Sequence, residues 1–339
     1  MEFFGLDIGS HNLKVVQLTK SGKQYRLVAF GSGPSTQKGL ASEADADLTA
    51  LAEAIKKLHQ ETKISTKNVT TALPQDQVFT RTVNLPPLSE EELRSAIKWE
   101  AEQYVPIPLE EATIAHQVVG QIKIDTQQKT QVLIVAAPKR LVNKALKVIK
   151  TAGLNCVGLE TEIVAVARSL VAPGGDSALI IDLGAKATDM AVVENGLVVF
   201  SRSISTAGEA LTRAIASSLG LDPTQAEAYK KAYGADPQKL EGKVREAIGP
   251  ILEVVVKEIE KTIEYYRSET KRTVNRVILS GGTAGLPEVV NLMASKLSLE
   301  IQVGDPFDQV TMEEALKKRL SQVQAPFYAV AVGLAMKNL

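Results

Sequence analysis

Two short stretches put a carboxylate, a glycine and polar donors at the same point of a strand ending. One is Asp7-Ile8-Gly9-Ser10, followed by His11, Asn12 and Lys14. The other is Asp182-Leu183-Gly184-Ala185, followed by Lys186 and Thr188. A glycine can take φ > 0, and without a Cβ it lets a ligand approach the backbone closely. Successive N–H groups in such a turn form a concavity that holds anions. A carboxylate beside a polyphosphate would repel it unless a cation lies between them. Asp7 and Asp182 therefore point to Mg²⁺, which commonly takes one or two carboxylates, often through water, plus phosphate oxygens. A third stretch, Gly281-Gly282-Thr283 with Leu286, follows an apolar run and can admit a flat base or a phosphate. Taken singly, each stretch reads equally well as an ordinary turn. The repetition of the first two carries the inference.

The elements that must position these residues are repeated as well. Strands are expected at 3–7, 13–19 and 24–30, with a hairpin turn at Ser21-Gly22-Lys23. The same order recurs at 178–182, 188–193 and 198–203, with Glu194-Asn195-Gly196 as the turn. Gly9 to Gly22 is 13 positions and Gly184 to Gly196 is 12, so the loop and hairpin lengths match. This is a duplicated supersecondary unit rather than a short-period solenoid. Between the copies, residues 76–158 change texture. Ser89 and Glu92 predict a capping box, and the prolines of "YVPIPLEEA" end that helix. Two strands, a helix from Pro138 to Lys150 and a short strand at 154–159 complete a compact β/α insertion. "APGGDS" is the clearest linker. A long apolar-striped helix follows at 244–268, where Pro250 is expected to bend or split it. "FYAVAVGLAMK" predicts an apolar helix suited to packing between domains.

Composition narrows the function classes. The 339 residues are 45% hydrophobic and 23% charged, with 39 basic and 39 acidic side chains. A zero net charge and 4% aromatic content argue against nucleic-acid binding. One cysteine, Cys156, allows no intrachain disulfide and no multi-cysteine metal site. No run approaches the roughly 18 apolar residues that span a bilayer, and the start "MEFFGLDIGS" does not read as a signal peptide. A cytoplasmic chain is expected. No GxxxxGK[ST], HExxH or GxSxG occurs, which sets aside Walker ATPases, zincins and nucleophile-elbow hydrolases.

In this order, the three stretches resemble the phosphate 1, phosphate 2 and adenosine motifs of the actin, sugar kinase and 70-kDa heat-shock chaperone superfamily. The insertion sits where FtsA and the type IV pilus assembly protein PilM carry subdomain 1C. "AEQYVPIPLEEA", "VVFSRSISTAGEALTRAIA", "AEAYKKAYG" and "EIEKTIEYYRS" resemble the PilM family in particular. The resemblance implies an α/β, actin-like fold: duplicated ribonuclease H-like domains, each on a five-stranded sheet, with an inserted 1C β/α subdomain. It divides the chain into subdomain 1A (1–75, 159–175, 305–339), subdomain 1C (76–158) and domain 2 (176–304, with 2B at about 220–273). It implies ATP and Mg²⁺ in the cleft. Asp7 and Asp182 would face the metal. Gly9, Ser10, His11, Asn12 and Lys14 would hold one phosphate turn; Gly184, Ala185, Lys186 and Thr188 would hold the other. Gly208 lies in a turn that approaches the phosphates. Glu227 and Lys230 would face the ribose or base, and Gly281, Gly282, Thr283 and Leu286 would line the adenine side.

The resemblance also implies a role. Such proteins are cytoplasmic members of the type IV pilus inner-membrane complex, peripheral at the membrane through their partners. They bind the cytoplasmic amino-terminal tail of a PilN-like protein between subdomains 1A and 1C, and connect with pilus motor and platform proteins. One departure matters. The heat-shock pattern after the second Asp-x-Gly is Gly-Gly-Thr, and here it is Ala185-Lys186-Ala187. One misplaced transition-state donor costs about 10²–10³ in rate, so ATP binding with slow hydrolysis is expected. Asp189 and Glu160, with Glu162, are the candidates for positioning water. Trp99 and Tyr104 are read as core residues, with partner anchoring as the alternative. An FtsA-like division protein would usually carry a carboxy-terminal amphipathic membrane helix, and the chain stops at "AMKNL". A sugar-branch kinase would need a substrate insertion with a catalytic aspartate.

Overall fold

The computed structural model describes residues 1–22, 24–124, 127–274, 276–297, 299–320 and 325–338. The first half of the chain gives β1 (Phe4–Ile8), β2 (Asn12–Ser21), β3 (Gln24–Pro34), α1 (Asp45–Glu61), β4 (Asn68–Leu73), β5 (Phe79–Leu85), α2 (Glu90–Tyr104), β6 (Ala112–Ile124), β7 (Gln127–Pro138), α3 (Lys139–Thr151), β8 (Asn155–Thr161) and α4 (Glu162–Leu170). The second gives β9 (Ala178–Leu183), β10 (Thr188–Glu194), β11 (Leu197–Ile204), α5 (Gly208–Leu219), α6 (Pro223–Tyr233), α7 (Lys243–Thr270), β12 (Arg276–Ser280), α8 (Val289–Leu297), β13 (Ile301–Val303), β14 (Val310–Thr311), α9 (Glu314–Leu320) and α10 (Ala329–Ala335).

These strands form three sheets, ordered β14-β3-β2-β1-β4-β8, β11-β10-β9-β12-β13 and β5-β7-β6. In both larger sheets an antiparallel meander, β1-β2-β3 or β9-β10-β11, runs on into parallel strands. The first sheet has six strands rather than five, because Val310–Thr311 pairs with the outer edge of β3. Asp7 ends up opposite Lys14, and Asp182 opposite Asp189.

Local chemistry fixes several boundaries. Ser89 and Glu92 form the capping box of α2, and Asp222 and Gln225 form one on α6. Pro250 neither splits nor ends α7, which runs as one helix of 28 residues. That proline is itself exposed, as is Glu246 four residues back, so solvent can satisfy the carbonyl that loses its N–H partner. Trp99 and Tyr104 are not core residues: they are 61% and 44% exposed, and the Arg81 guanidinium stacks on the Tyr104 ring at 3.4 Å.

The two larger sheets are joined through α4 and α10. Helix α10 packs on β1 and β2 on one side and on α4 on the other. Its small residues permit this. A Cβ on Gly333 would lie 1.8 Å from the Ala165 carbonyl oxygen of α4, and one on Gly5 would lie 2.1 Å from the Ala331 carbonyl oxygen. The Thr70 hydroxyl donates to the Leu334 carbonyl at 2.8 Å. Arg168 of α4 donates to the Gly333 carbonyl at 2.8 Å and forks onto Glu160 at 2.6 and 2.8 Å, while Lys337 reaches Glu160 at 2.6 Å. Burial alone would lift the Glu160 carboxyl, but Arg168 and Lys337 outweigh it and hold the group below its ordinary range.

Gly333→Ala is expected to cost about 3 kcal/mol or more, since backbone rather than a flexible side chain blocks the added methyl. Urea unfolding checks this, with Gly249→Ala, where a Cβ meets nothing within 4 Å, as the control.

Candidate functional site

The ends of β1 and β9 open into one cleft of about 320 Å³ between the two larger sheets. It is lined by Asp7, Gly9, Ser10, His11, Asn12 and Lys14 from the first turn, and by Asp182, Gly184, Ala185, Lys186 and Asp189 from the second unit. Gly208, Glu227, Lys230, Gly281, Gly282, Thr283 and Leu286 complete it. Two expected residues lie elsewhere. Thr188 is fully buried and donates to the Thr206 carbonyl at 2.6 Å. Glu160 is held by Arg168 and Lys337 at the α4–α10 crossing, so its carboxylate is not free to position water. Glu162, two residues on at the start of α4, does line the cleft.

The two turns are alike in detail, though not for the expected reason. Neither Gly9 nor Gly184 has positive φ. A Cβ on Gly9 would lie 2.7 Å from the Asn12 carbonyl oxygen, and one on Gly184 would lie 2.8 Å from the Ala187 carbonyl oxygen. Each turn closes on the carbonyl three residues ahead, and only glycine leaves room. Gly281 does have positive φ, at 83°, and a Cβ there would meet the Leu183 carbonyl oxygen at 2.5 Å. Thr283 donates to the Gly184 carbonyl at 3.3 Å, tying the third turn to the second.

Charge is concentrated at the cleft base. Lys14 Nζ lies 2.6 Å from Asp7 Oδ2 and 4.5 Å from the centre of the Phe327 ring. Burial would lower the Lys14 ammonium, but Asp7, with Asp182 and Glu162 beyond it, outweighs burial and raises it. Burial pushes Asp182 up to about 6, with Asp7 adding to the rise and Ser280 and Lys14 opposing it. Asp189 is pushed up to about 7, first by burial and then by Asp182 and Asp76. The Ser203 hydroxyl opposite offsets part of that rise. Neither Ser203 Oγ nor Asp189 Oδ1 completes a hydrogen bond, so a buried carboxylate oxygen is left without a partner. Burial and then Asp7, Asp189 and Asp182 lift Glu162 well above the carboxylate range, although it accepts from the Gln75 N–H at 3.2 Å.

At the far wall, Lys230 Nζ donates to the Gly208 carbonyl at 3.0 Å and to Thr212 at 2.8 Å, and pairs with Glu227 at 2.6 Å. Burial would raise Glu227, but Lys230, Thr212 and Lys231 hold it low. Lys38, Leu40, Phe327 and Val330 also line the cleft and carried no motif in the sequence. A larger hollow of about 800 Å³, between the three-stranded sheet and β11 with α7, holds none of the glycine-turn residues; it is lined instead from three of the stretches that carry the PilM resemblance, by Tyr104, Phe200 and Tyr265 among others.

Does this donor set suit a magnesium ion? Among the described residues, no three His, Cys, Asp or Glu side chains converge closely enough to enclose a metal. A protein cage is therefore not available. A hydrated ion shared with phosphate oxygens, and held by one or two carboxylates, does fit Asp7 and Asp182, with the unpartnered Asp189 oxygen on the residue opposite Asp182 in the sheet.

The family model for the type IV pilus assembly protein PilM matches residues 5–339. The chain belongs to the PilM family. It aligns with a solved PilM–PilN type IV pilus biogenesis complex at TM-score 0.86 and 29% identity, over 99% of this chain and 98% of that one. The cell division protein FtsA of Streptococcus pneumoniae is 22% identical over 344 residues, covering 90% of this chain and 75% of the relative. MreB5 of Spiroplasma citri, solved bound to AMPPNP, aligns at TM-score 0.51 and 16% identity over 98% of this chain and 95% of that chain. The fold is thus actin-like, and the family is one of type IV pilus assembly. Among the described residues, no helix is long and apolar enough to cross a membrane.

The raised Asp189 carboxyl has a signed consequence. Its contribution to stability is fully present below its ordinary value of 3.8 and is lost as pH rises through about 7. Asp189→Asn should therefore melt above the unchanged chain at pH 8, with the gap shrinking towards pH 5. Thermal melts across that range check it, and a gap independent of pH would contradict it.

Proposed function

We propose that this chain is an ATP-binding scaffold of a type IV pilus or related pseudopilus assembly complex. In this reading it works from the cytoplasmic side and docks the amino-terminal tail of a PilN-like membrane protein. One observation carries the nucleotide part. Two glycine turns of matching geometry and a set of buried carboxylates line a single cleft. The N–H groups of the turns suit phosphate oxygens. The carboxylates suit the cation that must accompany them, and Asp7 and Asp182 would hold it, partly through water. Bound Mg²⁺ would neutralise phosphate charge. The Gly281–Leu286 turn would take the base, and Glu227 with Lys230 the ribose side. MreB5, which shares the fold, is solved with AMPPNP, and that supports an adenine nucleotide.

Turnover is expected to be slow. Ala185 and the exposed Lys186 put side chains where the heat-shock pattern has two glycines, and Ala187 lacks the hydroxyl of its threonine. Glu162, facing the cleft, is the group we expect to take a proton from an attacking water; its raised carboxyl would first have to ionise, which a nearby bound cation would favour. The match to a PilM–PilN complex supports the tail-binding part. The groove between subdomains 1A and 1C, with 1C at 76–158, is its proposed seat.

Calorimetry with Mg-ATP tests the reading. Asp7→Ala and Asp182→Ala should each weaken binding at least tenfold while leaving the circular dichroism unchanged. Unaltered affinity in both would remove the metal argument. Glu162→Gln should keep ATP affinity within about threefold and lower single-turnover hydrolysis by about 10²-fold or more, read with radiolabelled ATP.

A further inference from the structure

The two sides of the cleft meet at its mouth. His11 belongs to the first turn, and its carbonyl accepts from the Ser35 N–H at 2.9 Å, which fixes it against the end of β3. Glu209 stands in the first turn of α5. Its N–H donates to the Ala185 carbonyl at 2.8 Å, and the Gly208 N–H donates to the Gly184 carbonyl at 3.1 Å. The Glu209 backbone is therefore fastened to the second turn. Across the gap, His11 Nε2 lies 2.9 Å from Glu209 Oε1, in donating distance. The two residues are 198 positions apart and belong to units built on different sheets. Both line the cleft.

Resting on the nucleotide reading above, we propose that the His11–Glu209 bridge is a latch. It limits how often the two phosphate turns part, and so sets the rate at which nucleotide leaves the cleft. The geometry supports this in three ways. The bridge joins two rigid anchors rather than two floppy side chains, since each backbone is hydrogen-bonded to its own unit. It joins the first turn to the helix fastened to the second, at a partly exposed edge of the cleft that both residues line, so parting the turns breaks it. It also lies outside the buried carboxylate cluster, so it can break without exposing those charges. The side chains are 51% and 30% exposed, which keeps the bridge weak enough to open reversibly. A pair of this exposure shifts an opening equilibrium by about two- to fivefold. That is a rate-setting effect, not a structural one. The second oxygen of Glu209 lies 3.7 Å from Arg213, one turn along α5, a long and solvent-exposed contact that the bridge to His11 does not depend on.

The latch differs from a simple phosphate contact by His11. If His11 only touched phosphate, removing it would weaken binding and removing Glu209 would not reproduce the effect. If the two act as one bridge, each loss should do the same thing and the losses should not add. The experiment uses the full chain and displacement of a fluorescent Mg-ATP analogue by excess ATP in stopped flow. His11→Ala, Glu209→Ala and the double variant are compared, with Arg213→Ala as the control for lost helix charge. We expect each single variant to release the analogue about two- to fivefold faster. The double variant should be no faster than the singles, and the Arg213 variant should be unchanged. Unaltered release in either single variant, or additive effects in the double, would overturn the latch. A second readout needs no nucleotide. Amide hydrogen exchange in peptides covering 8–12 and 184–188 should quicken in both turns in each single variant, and protection left intact would overturn it. Failure of the unaltered chain to bind the analogue would instead sink the nucleotide reading. The exchange data would then still decide whether the bridge ties the two turns.

Discussion

A close helix crossing holds this molecule together. At Gly333 the backbone of α10 meets the backbone of α4 at Ala165, with no room for a side chain. At Gly5 the first strand of the first sheet meets α10 just as closely. Helix α10 is thus clamped between the first sheet and the helix that runs beside the second. Two cores therefore share it: Val330 and Leu334 pack with the second sheet, while Ala331, Val332 and Ala335 pack with Phe30 and Tyr328. This contact ties the strand end that carries the first glycine turn to the helix packed beside the sheet that carries the second. Packed interiors do not deform continuously, so a shift at the crossing would be carried to the cleft as a change of geometry.

The carboxylate of Glu160 belongs to that crossing. Gripped by Arg168 and Lys337, it pins the end of β8 to α4 and to the chain just beyond α10. Glu162 is two residues away and makes no such ion pair among the described residues, Lys14 being paired with Asp7, and it rises well above the ordinary carboxylate range. Two neighbouring glutamates with similar sequence credentials are thus sorted by their surroundings. One becomes a structural anion, and the other a group that can exchange a proton. The same sorting runs through the cleft. Asp7 is paired with Lys14, while Asp182 and Asp189 are left to climb towards neutrality. Burying several carboxylates without matching cations costs stability. A site that receives a cation together with a polyanion gives that cost a purpose.

Membership of the PilM family sets this chemistry in a pilus assembly context, and the departures within the second turn give it a particular character. Ala185 and Lys186 narrow the backbone approach where the heat-shock pattern has two glycines, and Ala187 lacks the threonine hydroxyl. Binding survives such changes more readily than turnover does, because turnover depends on donors aimed at the transition state.

Much of this was legible in the amino-acid order. The duplicated strand-turn-strand pattern and its spacing, the capping box at Ser89 and Glu92, the apolar stripe of α7 and the small apolar run of α10 are local signals, and local physics read them. The sequence also named most residues that line the cleft, because Asp-x-Gly turns carry their chemistry with them. What it could not decide depended on distant neighbours. Thr188 is hidden by packing, its hydroxyl taken by the Thr206 carbonyl. Glu160 and Glu162 differ only in which helix end and which cations fold against them. Gly9 and Gly184 are required by a carbonyl three residues on and not by a left-handed backbone, a distinction that only coordinates draw. Trp99 and Tyr104 stay outside because α2 buries Ile97 and Ala101 instead. His11 and Glu209 meet across 198 residues, and no periodicity records such a contact. Local propensity and motif spacing fix the parts; the close approach of α10 to α4 fixes where they stand.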